Sequence, residues 1–308
     1  MAARVLVGTC SWTDKTLLES GWYPPQVNTP EERLRYYALH FPLVEVDSSY
    51  YALPSPRNAL LWAQRTPQGF VFDVKAFALF THHPTPPRSL PRDMYQALPP
   101  ALREKRNLYY RDLPSELTEE LWRLFAQALL PLAAAGKLGV VLFQFPPWFR
   151  PGRDSRQYIA SLPERLPGLR VAVEFRQARW LSEERDRQHT LRFLREDGLP
   201  LACVDEPQGF ASSVPPLAEA TAPLAVVRFH GRNAATWEAK GLTTAERFNY
   251  LYSPQELGEW VPRVRQLAQE AEEVHVLFNN CYRDYAVRNA RQMAQALAEA
   301  TERQQPLL

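Results

Sequence analysis

Short apolar, β-branched runs recur along the chain, and between most of them the apolar positions switch to a helical spacing. The runs are RVLVGT at 4–9, LVEVD at 43–47, FVFDVK at 70–75, GVVLFQF at 139–145, RVAVEF at 170–175, PLACVD at 200–205, LAVVRFH at 224–230 and VHVLFN at 274–279. Runs this nearly continuous belong to strands buried on both faces, as parallel strands covered by helices are. The intervening segments carry helix starts. Thr29-Pro30-Glu31-Glu32 and Ser253-Pro254-Gln255-Glu256 each set a hydroxyl at the N-cap, proline at the first helical position and Glu at the third. Ser55-Pro56 and Ser115-Glu116 predict two more starts. After Ser115, Leu117, Leu121, Leu124, Ala128 and Leu132 share a face, as do Val287, Ala290, Ala294 and Leu297 near the C-terminus.

Eight strands alternating with about eight helices predict an α/β fold, a parallel eight-stranded (β/α)8 barrel rather than an open doubly wound sheet, as one domain over 1–308. Pro207, Pro215, Pro216 and Pro223 crowd the link between the sixth and seventh strands and predict a degraded helix there. After the third strand, 77–114 holds seven prolines and six Arg or Lys, which predicts a long Pro-rich insertion on the barrel's upper face.

Composition narrows the function classes. With 45% hydrophobic and 23% charged residues, the 308-residue chain can bury a sizeable core. Net charge is +2 from 36 basic and 34 acidic residues, so no global field draws the protein to nucleic acid or a membrane, and any basic site must be local. Twelve Gly against 28 Pro disfavours glycine-rich phosphate cradles, and neither GxGxxG nor GxxxxGK[ST] occurs. The first residues lack the order of a signal peptide, and no apolar run approaches the ~18 residues of a membrane span. Cys10, Cys203 and Cys281 are odd in number and irregular in spacing, unlike a disulfide framework or a zinc ribbon. A reducing cytoplasm is the expected location, with no membrane partner.

In a barrel of this kind the chemistry sits at the carboxyl ends of the strands. The first strand ends in Cys10-Ser11-Trp12, the second carries Glu45 and Asp47, the third Asp73 and Lys75, and the fourth Gln144. Glu174 and Arg176 follow on the fifth, Asp205 on the sixth, Arg228 and His230 on the seventh, and Asn279 and Asn280 on the eighth. Alternation turns Glu45 with Asp47, Glu174 with Arg176, and Arg228 with His230 the same way. A converging polar ring is costly in an apolar barrel unless its members pair with each other or bind something. Pairing alone would give a self-satisfied network of Glu174, Arg228, Lys75 and Asp47; the alternative is a ligand site. Lys75, Arg176, Arg228 and His230 suit an anionic ligand, phosphate or carboxylate. Arg88, Arg92, Arg103, Lys105, Arg106 and Arg111 in the insertion extend the basic character, or form a solvated face.

Trp12, Trp22, Tyr23, Tyr50, Tyr51, Trp148, Phe149, Trp180, Trp237 and Tyr282 crowd the loops, and exposed rings beside cations stack on bases or sugars. For any single ring, loop packing is the competing account. His82, His83 and His230 with Glu45, Asp47, Glu174 and Asp205 would suffice for an oxygen-rich magnesium or manganese site. His82-His83 reads as an exposed pair able to act as acid or base, or as an inert one, and Cys10 as a nucleophile with no histidine set by sequence to activate it.

Together, Val7 to Trp12, Val44 to Tyr51, Phe72 to Lys75, Leu142 to Pro147, Ala172 to Arg176, Val227 to Gly231 and Phe278 to Asn280 resemble, in order, the signature blocks of the YecE-like family, domain of unknown function 72. The resemblance spans almost the whole chain and implies a TIM barrel without implying a reaction. It places the fold near the xylose isomerase and endonuclease IV barrels, an analogy that suggests a nucleic-acid or phosphosugar role. Here Cys10 and Ser11 stand where the first block usually has Ser and Gly, and Asp47 where Asn is usual. The His-rich zinc set of endonuclease IV has no counterpart.

The leading expectation is a protein binding an anionic, phosphorylated or nucleotide-like ligand at the barrel mouth, with room for metal-independent acid–base catalysis and no cofactor. Glu174, Lys75 and His230 are the candidate catalytic residues. Arg228, Arg176, Gln144, Asn279, Asn280, Glu45, Asp47, Trp12 and Tyr50 are the candidate ligand contacts. The alternatives are a non-catalytic nucleic-acid-binding protein and a metal-dependent hydrolase or isomerase.

Overall fold

The computed structural model describes residues 3–302, and the eight expected strands are all present. They are β1 Arg4–Cys10, β2 Leu43–Val46, β3 Val71–Lys75, β4 Leu138–Phe145, β5 Val171–Phe175, β6 Ala202–Asp205, β7 Leu224–Phe229 and β8 Glu273–Phe278. Their order is β5-β4-β3-β2-β1-β8-β7-β6, and the fold belongs to the parallel (β/α)8 barrel class. Helices separate consecutive strands except β6 and β7, where none forms among the described residues. The chain divides into two compact units, Met1–Glu45 with Ala178–Leu308, and Val46–Gln177.

In the first unit β1 pairs with β8 from Arg4↔Glu273 to Thr9↔Phe278, β8 pairs with β7, and β7 with β6. Pairing of β1 with β2 begins only at Gly8↔Leu43. Tyr37, on the helix Pro30–His40, is wholly buried beside that point. Its hydroxyl accepts from Thr9 N at 2.9 Å and donates to Leu43 O at 2.9 Å, giving backbone groups a partner where the ladder is incomplete. Thr29 and Ser253 form the expected capping boxes with Glu32 and Glu256. Along the terminal helix Tyr285–Glu302, Val287 and Ala290 are buried as expected, but Met293 takes the next buried place and Ala294 is exposed. The longer methionine reaches cover that a methyl at the next position does not.

In the second unit β3 pairs with β4 and β4 with β5, and the β3–β4 register shifts between Phe72 and Val74. Asp73, fully buried, fills the irregularity by accepting from Val140 N at 2.9 Å. Buried Lys137 donates to Ala63 O at 2.6 Å and Thr66 O at 2.7 Å, a cation on a last-turn carbonyl of the helix Pro56–Gln64 and on the segment just past its end. Ser115 is the first residue of the helix Ser115–Ala134, not its cap, and Pro114 occupies the cap position. The buried stripe of that helix runs through Thr118, Leu121, Trp122, Phe125, Ala128, Leu129 and Leu132, leaving Leu117 and Leu124 half-buried. The large rings of Trp122 and Phe125 set the facing direction, and Trp122 stacks on Phe80 at 3.7 Å. The 77–114 insertion is built of short helical turns closed by an antiparallel Thr85↔Leu108 bridge over buried Leu90, Met94 and Leu98.

At Gly8 the β2 backbone approaches closely, since a Cβ there would lie 1.9 Å from Leu43 O. That obstacle is backbone and cannot rotate away. Gly8→Ala is therefore expected to lower unfolding stability by about 3 kcal/mol, the upper part of the overpacking range. A denaturant midpoint equal to that of the unsubstituted protein would show that the strands can separate at no cost.

Candidate functional site

The strand-end polar residues form two sets, one in each unit. In the first, Arg228 on β7 and Glu45 on β2 are both without solvent exposure and meet side by side. Arg228 Nε donates to Glu45 Oε2 at 2.9 Å and Nη2 to Oε1 at 2.5 Å, a bidentate pair. The same guanidinium reaches Cys10 Sγ at 3.5 Å and lies 3.4 Å from His230 Nε2, while His230 Nδ1 is 2.9 Å from the Asn279 amide. Asn280 donates to Tyr250 O and to Asn289 Oδ1, each at 2.9 Å, and its own Oδ1 is buried without a hydrogen-bond partner among the described residues. Asp205 is engaged by Arg232, by the Tyr252 hydroxyl at 2.7 Å and by Trp260 Nε1 at 2.6 Å. Asn280 Oδ1 apart, these contacts are those of a buried, internally paired network.

In the second unit the polar groups stand at the ends of β3, β4 and β5. Gln144 and Glu174 are register neighbours, and Gln144 Nε2 donates to Glu174 Oε1 at 2.5 Å. Arg176, one residue beyond β5, places Nη1 3.3 Å from the same oxygen. Asp47 lies past β2 in a helical conformation, so strand alternation does not set its direction as expected; it begins the turn Ser48–Tyr50. The Lys75 ammonium is 3.9 Å from Asp47 Oδ1 and 4.7 Å above the Tyr50 ring. At 15% side-chain exposure it makes no hydrogen bond among the described residues, and Asp47 Oδ1 is a buried acceptor that also makes none.

His82 and His83 are not an exposed pair. His82 adopts a left-handed backbone conformation, φ 61°, which turns the chain and seats its ring among Tyr110, Phe145, Phe149 and Tyr158. His83 packs between Tyr50 at 5.3 Å and Trp148 at 5.7 Å. Burial lowers the His82 pKa to about 4. Burial first, then the positive charges of Lys75 and Arg176, lower that of His83 to about 3. Both rings are neutral at physiological pH.

Half of the expected stacking rings are packing residues: Trp12, Tyr23, Phe149, Trp180 and Trp237 are buried, and Trp22 and Tyr282 are half-buried. Tyr51 at 62% and Trp148 at 54% exposure are the loop rings that reach solvent, with Tyr50 half-buried between Tyr51 and His83. The insertion's six cations are all exposed, with Lys105 on Asp112, Arg88 over Tyr95 and Arg111 over Tyr109. Among the described residues no group of three His, Cys, Asp or Glu side chains is placed to hold a metal ion. The three cysteines are buried, and burial pushes the Cys203 thiol up to about 12. No described helix is long and apolar enough to cross a membrane.

Sequence reasoning passed over Thr81. Its hydroxyl donates to Ala78 O at 3.0 Å and lies 2.8 Å from His83 Nδ1. The available signal was a Thr two residues before a His at the start of the insertion, a spacing that a tight turn converts into contact.

The family described as "Protein of unknown function DUF72" matches residues 6–307. The UPF0759 protein YunF of Bacillus subtilis (strain 168) is 33% identical over 297 residues, covering 95% of this chain and 94% of that protein. A crystal structure of a DUF72 family protein from Thermotoga maritima MSB8 is 32% identical, with a TM-score of 0.74, over 96% of this chain and 99% of that one. One from Enterococcus faecalis V583 is 28% identical, with a TM-score of 0.77, over 96% and 95%.

Removing one member of the buried ion pair leaves the other charge unpaired. Glu45→Gln is expected to cost about 3–5 kcal/mol of unfolding stability, read by chemical denaturation; a loss below about 1 kcal/mol would show that Arg228 finds another acceptor. The histidines act on the acid side. Held neutral in the fold, each takes up a proton more readily once unfolded, so its contribution is complete above the ordinary value of 6.5 and is lost as pH falls toward about 4 for His82 and about 3 for His83. His82→Asn, which suits the left-handed backbone, should reduce the stability lost between about pH 7 and pH 5 by about 1–2 kcal/mol. Parallel pH profiles for the two proteins would exclude His82 as a cause of acid sensitivity.

Proposed function

The chain belongs to the DUF72 family of proteins of unknown function, and we propose that it binds an anionic, phosphorylated or nucleotide-like ligand at the ends of β3, β4 and β5. The observation that carries this reading is Lys75. A largely buried ammonium has three donors to satisfy, and this one has a ring beneath it and a carboxylate oxygen beyond hydrogen-bond reach. A phosphate oxygen would supply the missing acceptor, with Arg176 as the second cation and Tyr50, Tyr51 and Trp148 as the apolar walls.

Glu174 in this reading holds Gln144 and Arg176 in place before it does anything else, because it has no solvent exposure and one oxygen serves both neighbours. Arg228, His230, Asn279 and Glu45 serve the fold of their own unit, since their hydrogen bonds already engage one another. The insertion's six cations are all exposed and solvated, so ligand recognition is assigned to the largely buried Lys75 at the strand ends and not to that face.

Titration with inorganic phosphate, followed by calorimetry at moderate salt, tests the proposal. Lys75→Met and Arg176→Met should each weaken binding about tenfold or more, the loss of one charge-assisted contact, with circular dichroism unchanged. Phosphate binding equal in all three proteins would sink the reading. Affinity for a single-stranded oligonucleotide that falls steeply with salt and is indifferent to Lys75 would transfer the function to the insertion's surface.

A further inference from the structure

The Thr81–His83 contact fixes more than a ring position. A hydroxyl has one hydrogen, and Thr81 donates it to Ala78 O at 3.0 Å. With that hydrogen on Ala78 O, the same oxygen, 2.8 Å from His83 Nδ1, is the acceptor, an assignment that puts the imidazole proton on Nδ1 and leaves Nε2 its lone pair. Nε2 makes no hydrogen bond among the described residues. His83 Nε2, which has only solvent to pair with, and the buried, unpartnered Asp47 Oδ1 thus belong to the same strand-end set as the unfilled donors of Lys75.

An anion alone does not fit that inventory. Phosphate oxygens satisfy Lys75 and Arg176, but the fully ionised phosphate group of a monoester has no hydrogen to give to Nε2 or to Asp47 Oδ1, and the P–OH that inorganic phosphate keeps at neutral pH belongs to the same small anion that the two cations hold. Hydroxyl groups do, and the rings of Tyr50 and Trp148 on either side of His83 are the apolar faces against which the C–H face of a sugar rests. Building on the phosphate-binding reading, we infer that the ligand is a phosphate monoester of a sugar or polyol, with one hydroxyl donating to His83 Nε2. Thr81 is the positioning residue that makes this nitrogen an acceptor.

Lys75 and Arg176 reinforce the arrangement. Their charges, with burial, disfavour a second proton on the ring, which keeps Nε2 an acceptor under ordinary conditions. A neutral ring of the other tautomer would present a donor instead and prefer the anion itself.

Two titrations, one with inorganic phosphate and one with a hexose 6-phosphate, test the inference beside nitrogen-15 spectra of histidine-labelled protein. His83 signals are assigned by their loss in His83→Gln. The ring should be neutral and protonated on Nδ1, and the hexose phosphate should bind about tenfold tighter than phosphate, the worth of a well-placed hydrogen bond. Thr81→Val keeps the side-chain shape and removes the acceptor. It should let the proton redistribute between the ring nitrogens and abolish most of the preference for the hexose phosphate, while phosphate affinity stays within about twofold. A ring protonated on Nε2 in the unsubstituted protein, or a preference untouched in both Thr81→Val and His83→Gln, overturns the inference while leaving phosphate binding through Lys75 intact. Failure of either compound to bind overturns the phosphate reading and the inference with it.

Discussion

A guanidinium sealed from solvent must find a carboxylate, and Arg228 finds Glu45 across 183 residues of sequence. Taking two charges out of water costs several kcal/mol per ion, and only near-ideal geometry returns it. The bidentate contact provides that geometry, and Cys10, His230 and Asn279 close around it. The ends of β1, β2, β7 and β8 are thereby committed to one arrangement of backbone. An error of one residue in register would turn one charge away from the other.

The same rule separates scaffold from site. Where buried polar groups satisfy each other, as Arg228 with Glu45 and Asp205 with Arg232, Tyr252 and Trp260 do, those groups have little left with which to recognise a ligand. Within Val46–Gln177, Lys75 and the buried Asp47 Oδ1 are left with capacity to spare, and His83 Nε2 has only solvent to pair with. Unused capacity next to exposed rings is the physical signature of recognition; charge alone is not, and the six solvated cations of the insertion illustrate the difference.

The strands were legible because each is a short, nearly continuous apolar run, and the capping boxes at Thr29 and Ser253 because their signal is local. The neighbour relation of Gln144 and Glu174 follows from both standing near the ends of adjacent strands. Partnerships set by three-dimensional closure were not legible: nothing near Arg228 in the sequence announces Glu45. Alternation failed at Asp47 because the chain leaves the strand one residue earlier. The histidine pair was misjudged as exposed because a left-handed turn at a non-glycine residue leaves no mark in an apolar pattern.

The burial of Cys10, Cys203 and Cys281 has a consequence for handling the protein. A thiol held protonated inside a core, as Cys203 is, offers almost no thiolate to an alkylating reagent or an oxidant. Modification by a maleimide must therefore wait for the polypeptide to open around the sulfur, and its rate becomes a built-in stopwatch for local and global breathing, one that needs no introduced label.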